Sequence, residues 1–229
     1  METLLTVVIP AYNAEKYIQY TLDSLCAGCE GISQSSGNAE KGRNAVEPDR
    51  KHPKKGMPRL EVLVVDDGST DQTGKIADQY AKIYPDTVRV IHKENGGHGS
   101  GINCGVREAR GRYLKIVDAD DWVDPQAFSN LLDALAHTND DAVVSGFYWR
   151  FDNGSGEESS FPSKAEMQEP FKGVKYGKSY VFDGIADQVY MKMHGITWRT
   201  EILRQMPLSI DEHCYYVDAE YILYPIPWV

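Results

Sequence analysis

Three carboxylates fall within four residues in Val117-Asp118-Ala119-Asp120-Asp121-Trp122, directly after the apolar run Tyr113 to Val117. Like charges that close repel one another unless something positive joins them. A hard dication does so, taking one or two carboxylates, some waters and the phosphates of a substrate. An isolated Asp-x-Asp is more often a solvated turn that caps the next helix. Here a second acidic loop, Asp66-Asp67-Gly68-Ser69-Thr70-Asp71, ends another apolar run, Leu60 to Val65, and favours Mn²⁺ or Mg²⁺. A carboxylate at such a strand end can also accept hydrogen bonds from a ribose hydroxyl or a base N–H. A third segment, Asn95-Gly96-Gly97-His98-Gly99-Ser100-Gly101, is of the kind that lets backbone approach a phosphate at a helix N-terminus. It carries no Gly-x-x-x-x-Gly-Lys pattern and is not a P-loop.

These segments must be held by strands and helices, and the hydrophobic periodicity supplies them. Leu4 to Ile9, Leu60 to Val65, Thr87 to His92, Tyr113 to Val117 and Ala142 to Trp149 read as strands, the first two as buried on both faces. Helices are expected between them. The first carries Ile18, Thr21, Leu22 and Leu25 with Asn13 as N-cap; the second is capped by Ser69 or Thr70; the fourth starts at Asp124-Pro125 and buries Leu131, Leu132 and Leu135. Alternating strands and helices imply an α/β domain with a mainly parallel sheet. Ligands of such sheets bind beyond the carboxyl ends of the strands, where all the unusual loops lie. Residues 27–58, rich in Gly, Ser, Asn, Pro and Lys, read as a long loop insertion.

Composition bounds the partners. The 229 residues are 41% hydrophobic and 25% charged, with net charge −10. So acidic a chain does not suit nucleic acid. The four cysteines, Cys26, Cys29, Cys104 and Cys214, form no zinc pattern and are expected as free thiols. No run approaches the ~18 apolar residues of a membrane span, so the expected location is cytoplasmic, compatible with peripheral attachment at the inner membrane face. The ending Pro225-Ile226-Pro227-Trp228-Val229 reads as that of a C-terminally truncated chain.

Taken together, Val8-Ile9-Pro10-Ala11-Tyr12-Asn13, Val64-Val65-Asp66-Asp67-Gly68-Ser69-Thr70-Asp71, Asn95-Gly96-Gly97 with Asn103, and Val117-Asp118-Ala119-Asp120-Asp121 resemble the family-two glycosyltransferases of GT-A fold. The resemblance is strong over Thr6 to Leu135. It implies a single Rossmann-like GT-A domain over 1–229, with a nucleotide-sugar-binding half at 1–125 and an acceptor-side half at 126–229. It implies an inverting transfer from a nucleotide-diphosphate sugar, UDP-sugar first, to a hydroxyl of a glycan or lipid-linked acceptor, as in polysaccharide or glycolipid synthesis. Pro10, Ala11, Tyr12, Glu15, Asp67, Ser69, Gly97 and Asp118 would contact the nucleotide-sugar. Asp118 and Asp120 would be the metal-binding pair, Asp120 the direct ligand. An aspartate opening a later helix would be the general base; Asp218 fits, with Asp211, Glu212 and Glu220 as rivals. His194 and Trp198 are candidates for the acceptor cleft. One departure stands out: Ile102 precedes Asn103 where many members carry arginine.

Two other readings remain. A nucleotide-sugar-binding domain without catalysis fits the same loops. A nucleotidyltransferase would need a basic glycine loop near the N-terminus, and Tyr12-Asn13-Ala14-Glu15 is not one.

Overall fold

In the computed structural model the described residues are 3–29, 59–151, 164–168, 175–188, 190–207 and 209–229. Nearly all of the expected 27–58 insertion lies outside them.

The first strand, β1 (Thr3–Ala11), is buried along almost its whole length. Its side chains alternate between two layers. Leu5, Val7, Ile9 and Ala11 enter one core; Val8 enters the other. The strand β2 (Arg59–Asp66) does the same, with Val62 and Val64 on one side and Leu63 and Val65 on the other. Parallel pairing joins β2 to β1, to β3 (Val88–His92) on its far edge, and β1 to β4 (Gly111–Ile116). The helices α1 (Ile18–Cys29), α2 (Thr73–Ile83) and α4 (Pro125–His137) cover the first core, whereas α3 (His98–Glu108) covers the second. After β3 the chain therefore crosses to the opposite face and returns beside β1. The β1–β4 junction is the point where strand order reverses, and such junctions open a ligand crevice at the carboxyl ends.

The complete sheet runs β3-β2-β1-β4-β8-β5. Here β5 is Ala142–Val144 and β8 is Ile196–Arg199, inserted antiparallel to both β4 and β5. The single strand expected over Ala142 to Trp149 is broken at Ser145-Gly146. Its second part, β6 (Phe147–Phe151), leaves the sheet and pairs with β7 (Lys164–Gln168) as a separate hairpin. The short helices α5 (Thr200–Gln205) and α6 (Asp218–Leu223) follow, with Leu203, Val217 and Tyr221 in the second core.

Two expected caps are replaced by loop-to-loop bonds. Asn13 does not cap α1, which starts only at Ile18; it adopts a positive φ of 50° and its side-chain oxygen accepts the Thr70 N–H at 2.8 Å. Ser69 and Thr70 do not cap α2, which starts at Thr73 without a side-chain cap. Asp124 does cap α4, accepting the Ala127 N–H at 2.8 Å with Pro125 in the first turn. Cys26 and Cys104 are buried and lie in no disulfide. Trp198 is a core residue, 1% exposed, and does not line a cleft.

Glycine in α3 is a packing requirement. A Cβ at Gly105 would overlap Val8, one at Gly101 would come within 2.9 Å of Pro10, and one at Gly99 would overlap the Asp211 carbonyl. Gly101 and Gly105 are four apart and share the helix face that lies directly on β1, whereas Gly99 meets the 210–213 segment.

At the amino ends of the strands, Glu61 is buried and accepts from the Thr6 hydroxyl at 2.7 Å, the Arg110 N–H at 2.9 Å and Arg89 Nε at 3.1 Å. Glu61→Ala strands these donors. It should cost about 3 kcal/mol of unfolding free energy, read as a lower urea midpoint at unchanged slope.

Candidate active site

The β1 and β2 loops are sewn together at the crevice. The Asn13 N–H donates to Ser69 Oγ at 3.0 Å, the Glu15 N–H to Asp71 Oδ2 at 3.1 Å, and the Gln72 N–H to Glu15 Oε2 at 2.9 Å. Pro10 and Ala11 are buried beneath this seam, and Tyr12 stands 54% exposed above it. Glu15 and Ser69 thus shape the loops through their own bonds.

Asp67 is 3% exposed and its carboxylate is fully engaged. It accepts Lys93 Nζ at 2.6 Å, the Gly96 N–H at 3.0 Å and the Gly97 N–H at 2.8 Å. The glycine segment therefore cradles a carboxylate of the protein itself, with Gly97 at φ +84° to aim its N–H inward. The next residue, His98, places Nε2 3.0 Å from Asp118 Oδ1. One short stretch, Gly96 to His98, thus couples the two acidic loops that the sequence marked separately.

Asp66 faces away from this stretch. Its Oδ2 lies 2.8 Å from His92 Nδ1, and His92 Nε2 lies 3.1 Å from Asp78 Oδ1. The hydrogen bond to Asp66, joined by Asp78, holds the imidazole pKa above its ordinary value. A raised folded pKa means stabilisation present in full below the unfolded value of about 6.5 and lost as pH rises through the folded one. His92→Gln should therefore lower the melting temperature more at about pH 6 than at about pH 9. An equal loss at both would show the ring to be neutral.

At the β4 end, Asp118, Asp121 and His194 each offer a ligand atom, and these atoms all lie within 4.8 Å of one another. His194 Nδ1 is 3.3 Å from Asp121 Oδ2. Two carboxylates and an imidazole suit Mn²⁺, and the carboxylates alone suit Mg²⁺. Asp120, which the resemblance makes the direct ligand, lies outside this convergence. Burial, then the neighbouring charges of Asp121 and Asp118, push its carboxyl pKa up.

His194 reaches the cluster because β8 is antiparallel. Its start, rather than its end, lies at the carboxyl rim, and His194 sits in the turn just before it. Four contacts fix that turn. Lys115 Nζ donates to the His194 carbonyl at 2.6 Å; the Ser145 N–H donates to the Gly195 carbonyl at 2.8 Å; Phe147 and Trp149 pack on the imidazole at centroid distances of 5.7 and 5.9 Å. Lys115 is itself buried, and burial brings its ammonium pKa down to about 8. The hydrogen bond to Asp121 raises the His194 pKa.

Asp218 opens α6; Val217 just before it and Tyr221 within it share the second core with Met193, next to His194. Among the described residues the Asp218 side chain has no hydrogen bond or ion pair. Two of its rivals are engaged: Glu220 accepts the Asp211 N–H at 2.8 Å, and Glu212 accepts Asn103 Nδ2 at 3.1 Å. Asp211 places its carbonyl against Gly99. Asn103 also exchanges two bonds with Ile210, at 2.8 and 3.0 Å, and so anchors the 210–213 segment to α3. A pocket of about 520 Å³ lies on the far side of α3, between Lys93, Arg107 and His213. Among the described residues no helix is long and apolar enough to cross a membrane.

The chain is similar to known proteins. Putative glycosyltransferase EpsH of Bacillus subtilis (strain 168) is 28% identical over 208 residues, covering 90% of this chain and 49% of its own. Minor teichoic acid biosynthesis protein GgaA of the same organism is 25% identical over 132 residues, covering 57% of this chain and 24% of its own. The crystal structure of S. aureus TarS 1-349 with UDP-GlcNAc superposes with TM-score 0.59 at 24% identity, covering 94% of this chain and 51% of that one. It carries the same fold, so the expected GT-A α/β architecture is the observed one. The chain spans about half the length of these relatives or less. The model of the family described as Glycosyl transferase family 2 matches residues 6–188, and with the four motif loops assembled at one rim, the chain belongs to that family.

Proposed function

We propose that the chain transfers a sugar from a nucleoside-diphosphate donor, UDP-sugar first, to a hydroxyl of a growing cell-surface glycan, inverting the anomeric centre. The observation that carries this reading is the convergence of Asp118, Asp121 and His194 at the crevice between β1 and β4. The teichoic-acid relative GgaA and the UDP-GlcNAc complex of TarS support the choice of polymer and donor.

Each group has a task. The Pro10–Asn13 loop, with exposed Tyr12, offers a ring for the base. The loop braced by Asp67 sets the depth of the crevice. Asp118, Asp121 and His194, with Asp120 adjacent, would hold Mn²⁺ or Mg²⁺. Such an ion supplies positive charge to the diphosphate as it leaves. Asp218 takes the proton from the acceptor hydroxyl. The hydroxyl oxygen bonds to the anomeric carbon as the carbon–phosphate-oxygen bond breaks, releasing nucleoside diphosphate.

Calorimetry with UDP, with and without Mn²⁺, paired with a UDP-sugar turnover assay, tests this. Tight UDP binding only with Mn²⁺, together with turnover, is expected. No binding of any nucleoside diphosphate would refute the reading; binding without turnover would make the chain a donor-binding domain.

A further inference from the structure

Along the carboxyl rim the functional groups follow strand order: the Asp67 loop on β2, the Tyr12 loop on β1, Asp118 to Asp121 on β4, His194 before β8, then the residues after β5. The nucleotide side of the proposed site occupies the first two places. The other end is closed by the β6–β7 hairpin, and there an aromatic side chain remains open. We propose that the indole of Trp149 is a stacking platform for a pyranose ring of the acceptor, beside the Asp118, Asp121 and His194 cluster. The inference rests on the glycosyl-transfer reading.

The platform is built from three rings. Trp149 meets the His194 imidazole at 5.9 Å and 77°, and the Phe147 ring at 5.8 Å and 76°. Phe147 also meets His194, at 5.7 Å. Phe147 and Trp149 are two apart on β6 and share one face, turned to the cluster; Tyr148 takes the other. Both contacts are T-shaped, and the residue stays 42% exposed. Glu166 stands directly across the hairpin from Trp149. Paired residues of an antiparallel ladder share a face, so a carboxylate flanks the ring.

A ring packed only to hold His194 would gain by being covered, because exposed apolar surface is unfavourable in water. A sugar supplies the cover. One face of a pyranose presents C–H groups that pack on an aromatic ring, and its rim of hydroxyls suits a neighbouring carboxylate. Placement beyond the acidic cluster from the nucleotide loops assigns the ring to the acceptor.

Saturation-transfer NMR on the full chain, with UDP and Mn²⁺ present, would test this with methyl β-D-glucopyranoside, methyl β-D-galactopyranoside and methyl N-acetyl-β-D-glucosaminide. At least one glycoside should bind, and Trp149→Ala should weaken it about tenfold. Trp149→Phe, which keeps a ring against His194, should retain most of the binding. The circular dichroism spectrum should match in all three chains, and UDP–Mn²⁺ affinity should match in the wild type and Trp149→Phe, where a ring still packs on His194. Glycoside binding unchanged in Trp149→Ala, or absent from the wild type, overturns the platform. So does a Trp149→Ala chain weakened toward UDP-GlcNAc but not UDP, because that gives the ring to the donor sugar. A wild-type chain that binds glycosides through Trp149 but no nucleoside diphosphate with Mn²⁺ supports a sugar platform and sinks the transfer reading. The reverse sinks the platform and leaves the transfer reading standing.

Discussion

Asp118→Asn should lower sugar transfer by about a thousandfold or more while the melting temperature stays close to wild type. The developing charge on a leaving diphosphate is worth several kcal/mol of stabilisation to a bound dication, and each 1.4 kcal/mol is about tenfold in rate. The substitution preserves shape and removes one of the two carboxylates that converge with His194. It should also weaken Mn²⁺ in electron paramagnetic resonance titrations without substrate, a readout independent of turnover. Asp121→Asn should do the same, because its Oδ2 lies 3.3 Å from the imidazole of the cluster. Asp120→Asn separates the two assignments. If it abolishes Mn²⁺ binding and Asp121→Asn does not, the pair Asp118 and Asp120 holds the ion, as the Asp-x-Asp spacing implies. Full Mn²⁺ affinity and turnover in Asp118→Asn would end the metal assignment altogether.

Asp218→Asn should lower the turnover number by about a hundredfold to ten-thousandfold, the usual contribution of a positioned general base. UDP and Mn²⁺ affinity should not change, since among the described residues the Asp218 side chain has no hydrogen bond or ion pair to lose. Asn keeps the volume and loses only the capacity to take a proton. Glu220→Gln and Glu212→Gln are the matched controls. Glu220 already holds the Asp211 N–H and Glu212 already holds Asn103, so their losses should appear in melting temperature before turnover. If Glu220→Gln loses catalysis at unchanged stability and Asp218→Asn does not, the base is Glu220.

Much of this was legible because short-range rules governed it. Buried β-branched runs became β1 and β2, Asp124-Pro125 became the start of α4, and the strand–helix alternation became a mainly parallel sheet. The acidic and glycine-rich loops fell at the carboxyl rim, as the ligand rule for such sheets requires. Other features were hidden because a side chain had two bidders. Asn13, Ser69 and Thr70 have ordinary capping chemistry, yet each bonds across to the other loop, a partner more than fifty residues away. The glycine segment Asn95 to Gly101 suggested a phosphate cradle; in the structure Gly96 and Gly97 direct their N–H groups to Asp67, and Gly99 and Gly101 make room for Asp211 and Pro10.

The amino-acid order alone determined which carboxylates sit at which strand ends, since that depends only on where apolar runs stop. The tertiary structure alone decided that His194, more than seventy residues beyond Asp121, stands beside it, and that Trp149 stands beside His194. The physical reason is the direction of β8. A parallel strand would have carried His194 to the opposite edge, whereas an antiparallel one, inserted between β4 and β5, starts at the rim. Strand direction depends on pairing between distant segments, which no local pattern of residues records.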